Sequence, residues 1–407
     1  MNTVVIIGGG PAGMMAAIAA SHNNNKVILI EKNEKLGKKL YITGKGRCNI
    51  TNSKDISEFF DFIPGNPHFL YSALYTFTNE DTMNFFRKLG VSLKVERGDR
   101  VFPESDKASD IINAFCKELE NRKVEIRLNS NVKEVLTENN KIIGIELSNS
   151  TKILGDYFVL CTGGLSYPQT GSTGDGYEFA KIMGHKVITP LPSLIPIVTI
   201  EDWIKDLQGL SLKNVELSIK SSSNKTLYKE FGEMLFTHYG ISGPIVLSAS
   251  RVINRNSGTK AVINLKPALT QDELDKRIQR DFSKFINKAF KNSLNELLPQ
   301  KLISIIVMLS EIDGEKKVNL ITKEERKKLV FLLQNLTLSI KSLRPIAEAI
   351  ITCGGIDVKY IDASTMKSKT IENLSFAGEI IDIDGYTGGF NLQLALSTGY
   401  LAGTKLS

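Results

Sequence analysis

The sequence has no apolar run approaching the roughly 20 residues that a membrane-spanning helix requires. Its start, Met1-Asn2-Thr3, lacks a basic segment and a cleavage site, and leads straight into an apolar strand. These absences predict a cytoplasmic protein with no signal peptide and no membrane partner. Cysteine is scarce: Cys48, Cys116, Cys161 and Cys353 lie far apart, and none belongs to a CxxC pair. That spacing implies neither a disulfide framework nor a zinc site, so no metal is expected. Internal repeats and low-complexity segments are also missing.

What remains is an ordinary globular chain of 407 residues, 42% hydrophobic and 23% charged, long enough for two or three domains. Its net charge is +7. That excess suits an anionic partner such as nucleic acid or a nucleotide, and equally a Lys-rich solvated surface.

Val4 to Ile7 is a short apolar strand that ends in Gly8-Gly9-Gly10. Pro11 to Ser21 is small and apolar, suited to a helix lying on a sheet, and Lys26 to Glu31 is a second buried strand. Strand, glycine turn, helix and strand make a βαβ unit, which implies a parallel sheet. Residues 51–123 read as mostly helical. A hairpin is expected through Asn139-Asn140, and a further strand runs from Tyr157 to Leu160. The composition shifts near Pro190, after which short alternating strands (VELSIK, AVINLK) predict a β-rich subdomain. From Thr270 to about Leu298, Leu274, Ile278, Phe282, Phe285, Ile286 and Phe290 recur at helical spacing. Helical character continues to about Ser342. Ile350 to Gly355, Leu374 to Gly378 and a last helix from about Asn391 read as a return to the first sheet. The expected fold class is therefore α/β: a Rossmann-type domain from 1–190 and 345–407, interrupted by a β-rich, barrel-like domain (191–269) and a helical domain (270–344).

The chemistry begins with Gly8-x-Gly10-x-x-Gly13. Gly8 permits a tight turn, Gly10 lets the backbone approach a pyrophosphate, and Gly13 allows close packing of helix on sheet. The pyrophosphate would sit on the unpaired N–H groups of the helix N-terminus, next to Pro11 and Ala12. Glu31 ends the second strand, placed to accept hydrogen bonds from ribose hydroxyls, with Lys32 beside it. No second such unit follows, so any NADH or NADPH must dock transiently.

Other segments resemble known flavoproteins. Cys161-Thr162-Gly163-Gly164 resembles the strand end of FAD proteins of the glutathione reductase-like superfamily. Phe376-Ala377-Gly378-Glu379, with Asp382 and Gly388-Gly389-Phe390-Asn391-Leu392, resembles their closing FAD motif. There the carboxylate binds the ribityl or pyrophosphate region, and the last helix points its positive end at the flavin pyrimidine. Val132 matches the strand residue whose backbone reads the adenine. Gly37-Lys38-Lys39, Thr43-Gly44-Lys45-Gly46-Arg47-Cys48-Asn49, Phe236 to Pro244 and Thr352 to Ile356 carry the resemblance nearly end to end. They are similar to the YhiN/BaiN-like NAD(P)/FAD-dependent oxidoreductases. Lys45 and Cys353 depart from that pattern, where glycine and a small residue are usual.

The resemblance implies FAD as cofactor, NADH or NADPH as reductant, and an oxidoreductase reaction. Three activities go with it: conversion of uridine to dihydrouridine in 23S ribosomal RNA, reduction of bile-acid or steroid enones, and aminoacetone-type amine oxidation. The first two need hydride at the β-carbon of a conjugated C=C and a protein acid for the α-carbon. Cys48 and His238 are the candidate acids, Arg47 a candidate carbonyl or phosphate binder, and Tyr167 a further group near the cleft. Gln271 to Arg344 contains 15 Lys and Arg against 10 Asp and Glu. Lys276, Arg277, Arg280, Lys284, Lys288 and Lys291 form a basic stripe there, suited to an RNA backbone or simply to solvent. An FAD-bearing RNA-binding protein without turnover, and a free small-molecule substrate, remain open alternatives.

Overall fold

The computed structural model describes residues 1–22 and 24–406. The chain divides into two compact units, Met1–Ser193 with Ile346–Ser407, and Leu194–Pro345.

The first unit is built on a parallel five-stranded sheet. Its order is Leu374–Phe376, Tyr157–Leu160, β1 (Thr3–Ile7), β2 (Lys26–Ile30) and Glu125–Arg127. β1 and β2 run in register from Thr3 opposite Lys26 to Ile7 opposite Ile30. Val4 to Ile7 and Val27 to Ile30 are all buried, as expected of central strands covered on both faces. Between them α1 (Pro11–Ser21) starts with proline at its first position, where the missing N–H costs nothing. Its Ala12 to Ala20 are buried all round, because the C-terminal helix, Phe390–Thr404, lies directly against it. That approach is close: a Cβ on Gly399 would come within 2.3 Å of the Ala12 carbonyl oxygen. Asn139 and Asn140, at φ 49° and 60°, make the expected hairpin turn between Val132–Glu138 and Lys141–Leu147. Ile351–Ile356 does not join the main sheet; it pairs antiparallel with Val187–Ser193. The stretch read as mostly helical contains an antiparallel pair, Leu93–Glu96 with Arg100–Pro103.

The second unit is a closed six-stranded barrel, in the order Ile197–Thr199, Gly240–Ser242, Thr226–Thr237, Ser211–Lys220, Lys260–Asn264 and Leu336–Leu343. Helices Gln271–Lys284, Gln300–Ser310 and Lys323–Gln334 share one hydrophobic core with it. Here the structure differs from the sequence reading. The expected β-rich (191–269) and helical (270–344) domains form a single unit, because Leu336–Leu343 is a barrel strand. It pairs with Lys260–Asn264 on one side and Ile197–Thr199 on the other. The helix expected to reach Leu298 ends at Lys284, so Lys288 and Lys291 of the basic stripe lie beyond it. Among the described residues, no helix is long and apolar enough to cross a membrane.

Candidate functional site

The first unit contains a cavity where β1 and β2 end. Gly8 to Ala12 and Glu31 to Asn33 line it, with Val132 after strand Glu125–Arg127 on one flank and Thr162 and Gly163 after strand Tyr157–Leu160 on the other. Gly378, Glu379, Asn391 and Leu392 line the end nearest the C-terminal helix. Two helix N-termini therefore meet this space. Gly10 is the N-cap of α1 and Gly389 that of the C-terminal helix, and among the described residues no side chain caps either one. The Asn391 side chain is occupied elsewhere, holding both backbone groups of Gly385 at 2.7 Å. Uncapped N–H groups and a positive helix end favour an anion or a carbonyl oxygen at both places.

The lining fits FAD on two observations. A Cβ on Gly10 would meet nothing within 4 Å, so bare backbone faces the open cavity. Glu31 accepts hydrogen bonds from the backbone N–H groups of Gly9 (2.7 Å) and Asn33 (2.8 Å) and from Asn33 Nδ2 (2.6 Å). A carboxylate has about four acceptor sites, so room is left for a ribose hydroxyl.

Sequence reasoning missed part of the wall. Lys39 Nζ donates to Glu379 Oε2 and to Ser166 Oγ, both at 2.6 Å. Glu379 Oε1 accepts from Ser166 Oγ (2.9 Å) and from the Thr352 N–H (2.8 Å). Thr352 Oγ1 in turn accepts from the Leu165 and Ser166 N–H groups. Gly164 is part of this arrangement, since a Cβ there would sit 2.3 Å from Thr352 Oγ1. Ser166 gives no signal in the sequence, and Thr352, though inside a segment that carries the resemblance, gives none for this role, because only the fold brings them together. At the other end, Lys32 bridges to Asp175 at 2.6 Å, tying the segment after Gly171 to the end of β2.

Of the expected cofactor residues, Gly8, Gly10, Pro11, Ala12, Glu31, Lys32, Lys39, Val132, Thr162, Gly163, Gly378, Glu379, Asn391 and Leu392 line the cavity. The others serve it from behind or stand apart. Gly13 packs under the turn. Gly388, Gly389 and Phe390 start the last helix, where the Phe390 ring stacks on Phe62 at 4.6 Å. Asp382 accepts from Asn66 Nδ2 through both its carbonyl and its carboxylate. Gly46, Arg47, Cys48 and Asn49 lie in a loop outside the lining.

The candidate chemical groups are placed differently from expectation. The Arg47 guanidinium is tied to Glu96 and to Asp106 (Nε to Oδ1, 2.7 Å), over the Phe102 ring at 4.2 Å. Its charge is matched by two carboxylates, and those hydrogen bonds hold its pKa above the ordinary value. Cys48 is fully buried at φ 59°, and burial pushes its thiol up to about 12. A neutral, enclosed thiol closing a turn has little access to substrate. Cys48→Ala is expected to keep turnover within about threefold of wild type, since alanine fills the same left-handed position with only a small cavity; steady-state flavin turnover measures it. Asn49 has a buried Oδ1 without a partner among the described residues. Tyr167 donates its N–H to Ala347, and burial raises its phenol pKa. His238 belongs to the second unit, exposed at a hairpin tip edge-on to Tyr239.

Comparison with known proteins now bears on this geometry. The family model described as "HI0933-like protein Rossmann domain" matches residues 2–405. The chain belongs to the HI0933-like family. It is 31% identical over 94% of its length to a ribosomal RNA dihydrouridine synthase of Haemophilus influenzae, covering 92% of that protein. It is 30% identical over 93% of its length to a 3-dehydro-bile acid delta(4,6)-reductase of Clostridium scindens, covering 91% of that protein. Among solved structures, it resembles 3-ketosteroid delta1-dehydrogenase from Sterolibacterium denitrificans, with a TM-score of 0.53, 14% identity and 99% of each chain covered. A flavocytochrome c3 fumarate reductase aligns with a TM-score of 0.51 and 15% identity, over 100% of this chain and 78% of that one. The HI0933-like protein is thus an FAD-dependent oxidoreductase with the FAD-binding Rossmann-type fold.

Proposed function

We propose that this HI0933-like protein uses NADH or NADPH to saturate a carbonyl-conjugated C=C, and that its substrate is uridine in 23S ribosomal RNA. In this reading α1 receives the diphosphate, Glu31 the ribose and Val132 the adenine. Glu379 and Lys39 stand by the ribityl chain, and the C-terminal helix directs its N-terminus at the pyrimidine carbonyl. FAD supplies the hydride when bound, and the positive helix end favours the negative charge of its reduced form.

One observation carries the choice of substrate. The second unit contains 24 Lys and Arg against 16 Asp and Glu, a net +8, whereas the rest of the chain sums to −1. A bile acid carries a single carboxylate and gains little from such a field, while a polyanion gains both encounter rate and affinity. The relatives named for RNA and for bile acid are equally similar, so identity alone does not decide. A cytoplasmic location accompanies this reading.

The experiment has two parts. Purified protein is expected to be yellow and to bleach anaerobically on adding NADH or NADPH. Deletion of the gene is expected to remove one dihydrouridine from ribosomal RNA. Bleaching with an unchanged dihydrouridine content would move the substrate to a small free enone. RNA binding without any bleaching would favour a non-catalytic role.

A further inference from the structure

The hairpin between Thr226–Thr237 and Gly240–Ser242 turns through two residues, with Thr237 paired opposite Gly240. Two-residue hairpin loops favour Asn-Gly, Asp-Gly or Gly-X. This one uses His238 and Tyr239, neither of them at positive φ. The surroundings compensate. Gly240 lets the chain pass where a Cβ would come within 2.1 Å of the Ile197 carbonyl oxygen. The Tyr239 carbonyl accepts the Thr199 N–H at 3.1 Å. A turn built against its usual residue preferences points to a use for the side chains it displays.

Those side chains form a cluster with Arg344, which follows the last barrel strand. The Arg344 guanidinium lies 4.8 Å from the Tyr239 ring centroid. The His238 ring stands edge-on to the same ring, centroids 4.8 Å apart at 78°. Imidazole, phenol and guanidinium thus form one planar-group patch on the unit that carries the net +8. Part of the basic stripe is itself ion-paired. Arg277 is bonded to Asp281 and Lys284 to Glu296, each at 2.7 Å, and Lys291 to Glu315.

We infer that His238, Tyr239 and Arg344 form a contact site for an unpaired nucleotide of the RNA substrate, binding it without taking part in the chemistry. Unpaired bases stack on aromatic rings and on guanidinium planes, and guanidinium also holds phosphate. The site reassigns His238 from candidate acid to recognition. It rests on the RNA reading above, and adds where on the chain that RNA is held.

The test uses the full-length flavoprotein, with fluorescence anisotropy on a short labelled poly-uridine RNA and on unmodified 23S ribosomal RNA. Tyr239→Leu and Arg344→Gln are each expected to weaken binding by about 5- to 100-fold, the range for loss of one stacked base. Tyr239→Phe keeps the ring and is expected to bind as wild type. Flavin content and melting temperature show that each variant is folded. If wild type binds neither RNA, the RNA reading and this site fall together. If wild type binds and Tyr239→Leu and Arg344→Gln bind equally well, the site falls and the reading stands. Loss of binding in Tyr239→Phe equal to that in Tyr239→Leu would overturn stacking as the interaction.

Discussion

Gly13→Ala is expected to give a colourless protein of lowered stability, and Gly10→Ala a colourless protein of normal stability. The two glycines are three residues apart but meet different surroundings. A Cβ on Gly13 would lie 1.9 Å from the Gly8 carbonyl oxygen, which is backbone and cannot rotate away. Relief would require α1 to lift from β1. Its other side is held by the C-terminal helix, which passes so close at Gly399 that it has no slack either. Overpacking of this kind costs about 1–3 kcal/mol, and it distorts the turn that receives the diphosphate. Gly10 has an ordinary φ of −78°, and its Cβ position is open. Alanine there leaves the cofactor-free fold intact. Its methyl group nevertheless enters the space where the diphosphate must approach bare backbone. A loss of FAD affinity of about 100-fold, equivalent to ~2.7 kcal/mol, is expected. The readouts are flavin absorbance after reconstitution and the melting temperature without flavin. Wild-type FAD affinity in Gly10→Ala would falsify the placement of the diphosphate.

This contrast also shows which parts of the protein could be read from sequence. The βαβ unit is local: strand, turn, helix and acidic strand end lie within the first 31 residues, and each glycine has a reason visible in its neighbours. The Asn139-Asn140 hairpin is equally local. Leu336–Leu343 is not. Its alternation, with Leu336 and Leu338 buried and Thr337 and Ser339 exposed, is a strand pattern. It follows directly on a helix and finds its partners some 70 and 140 residues earlier, so the helical reading ran through it. Cys48 and Arg47 show a different failure. A loop motif places residues near a site but does not say which way they point. Here burial took the thiol, and Glu96 and Asp106 took the guanidinium. Lys39 and Glu379 are legible as cofactor residues by resemblance, but their pairing with each other, Ser166 and Thr352 in one wall is not, for the same reason as the strand: the members span more than 300 residues.

That wall leads to the second large effect. Lys39→Met is expected to weaken FAD binding about 10- to 100-fold, and Lys39→Met combined with Glu379→Gln to recover most of the loss. Glu379 places a carboxylate on the lining of a cavity that must also accept a diphosphate. The cavity's other cations are committed: Lys32 to Asp175, and Lys38 to Glu34 and Asn33. Lys39 is therefore the counter-charge that lets Glu379 and the diphosphate share one space. Both side chains of the pair are mostly buried, at 20% and 16% exposure, so solvent screens them poorly. Removing one partner of a fully buried pair costs about 3–5 kcal/mol, and the residual exposure here argues for less. In Lys39→Met the carboxylate remains, held in place by Ser166 and Thr352, and repels the incoming anion. In the double variant the amide can still accept from the Thr352 N–H, and no net charge has changed. Isothermal titration of FAD into the cofactor-free variants measures all three affinities. A double variant that binds no better than Lys39→Met would mean that the ammonium acts on the cofactor itself. Recovery places its effect on Glu379, which makes Ser166 and Thr352 positioning residues for that side chain.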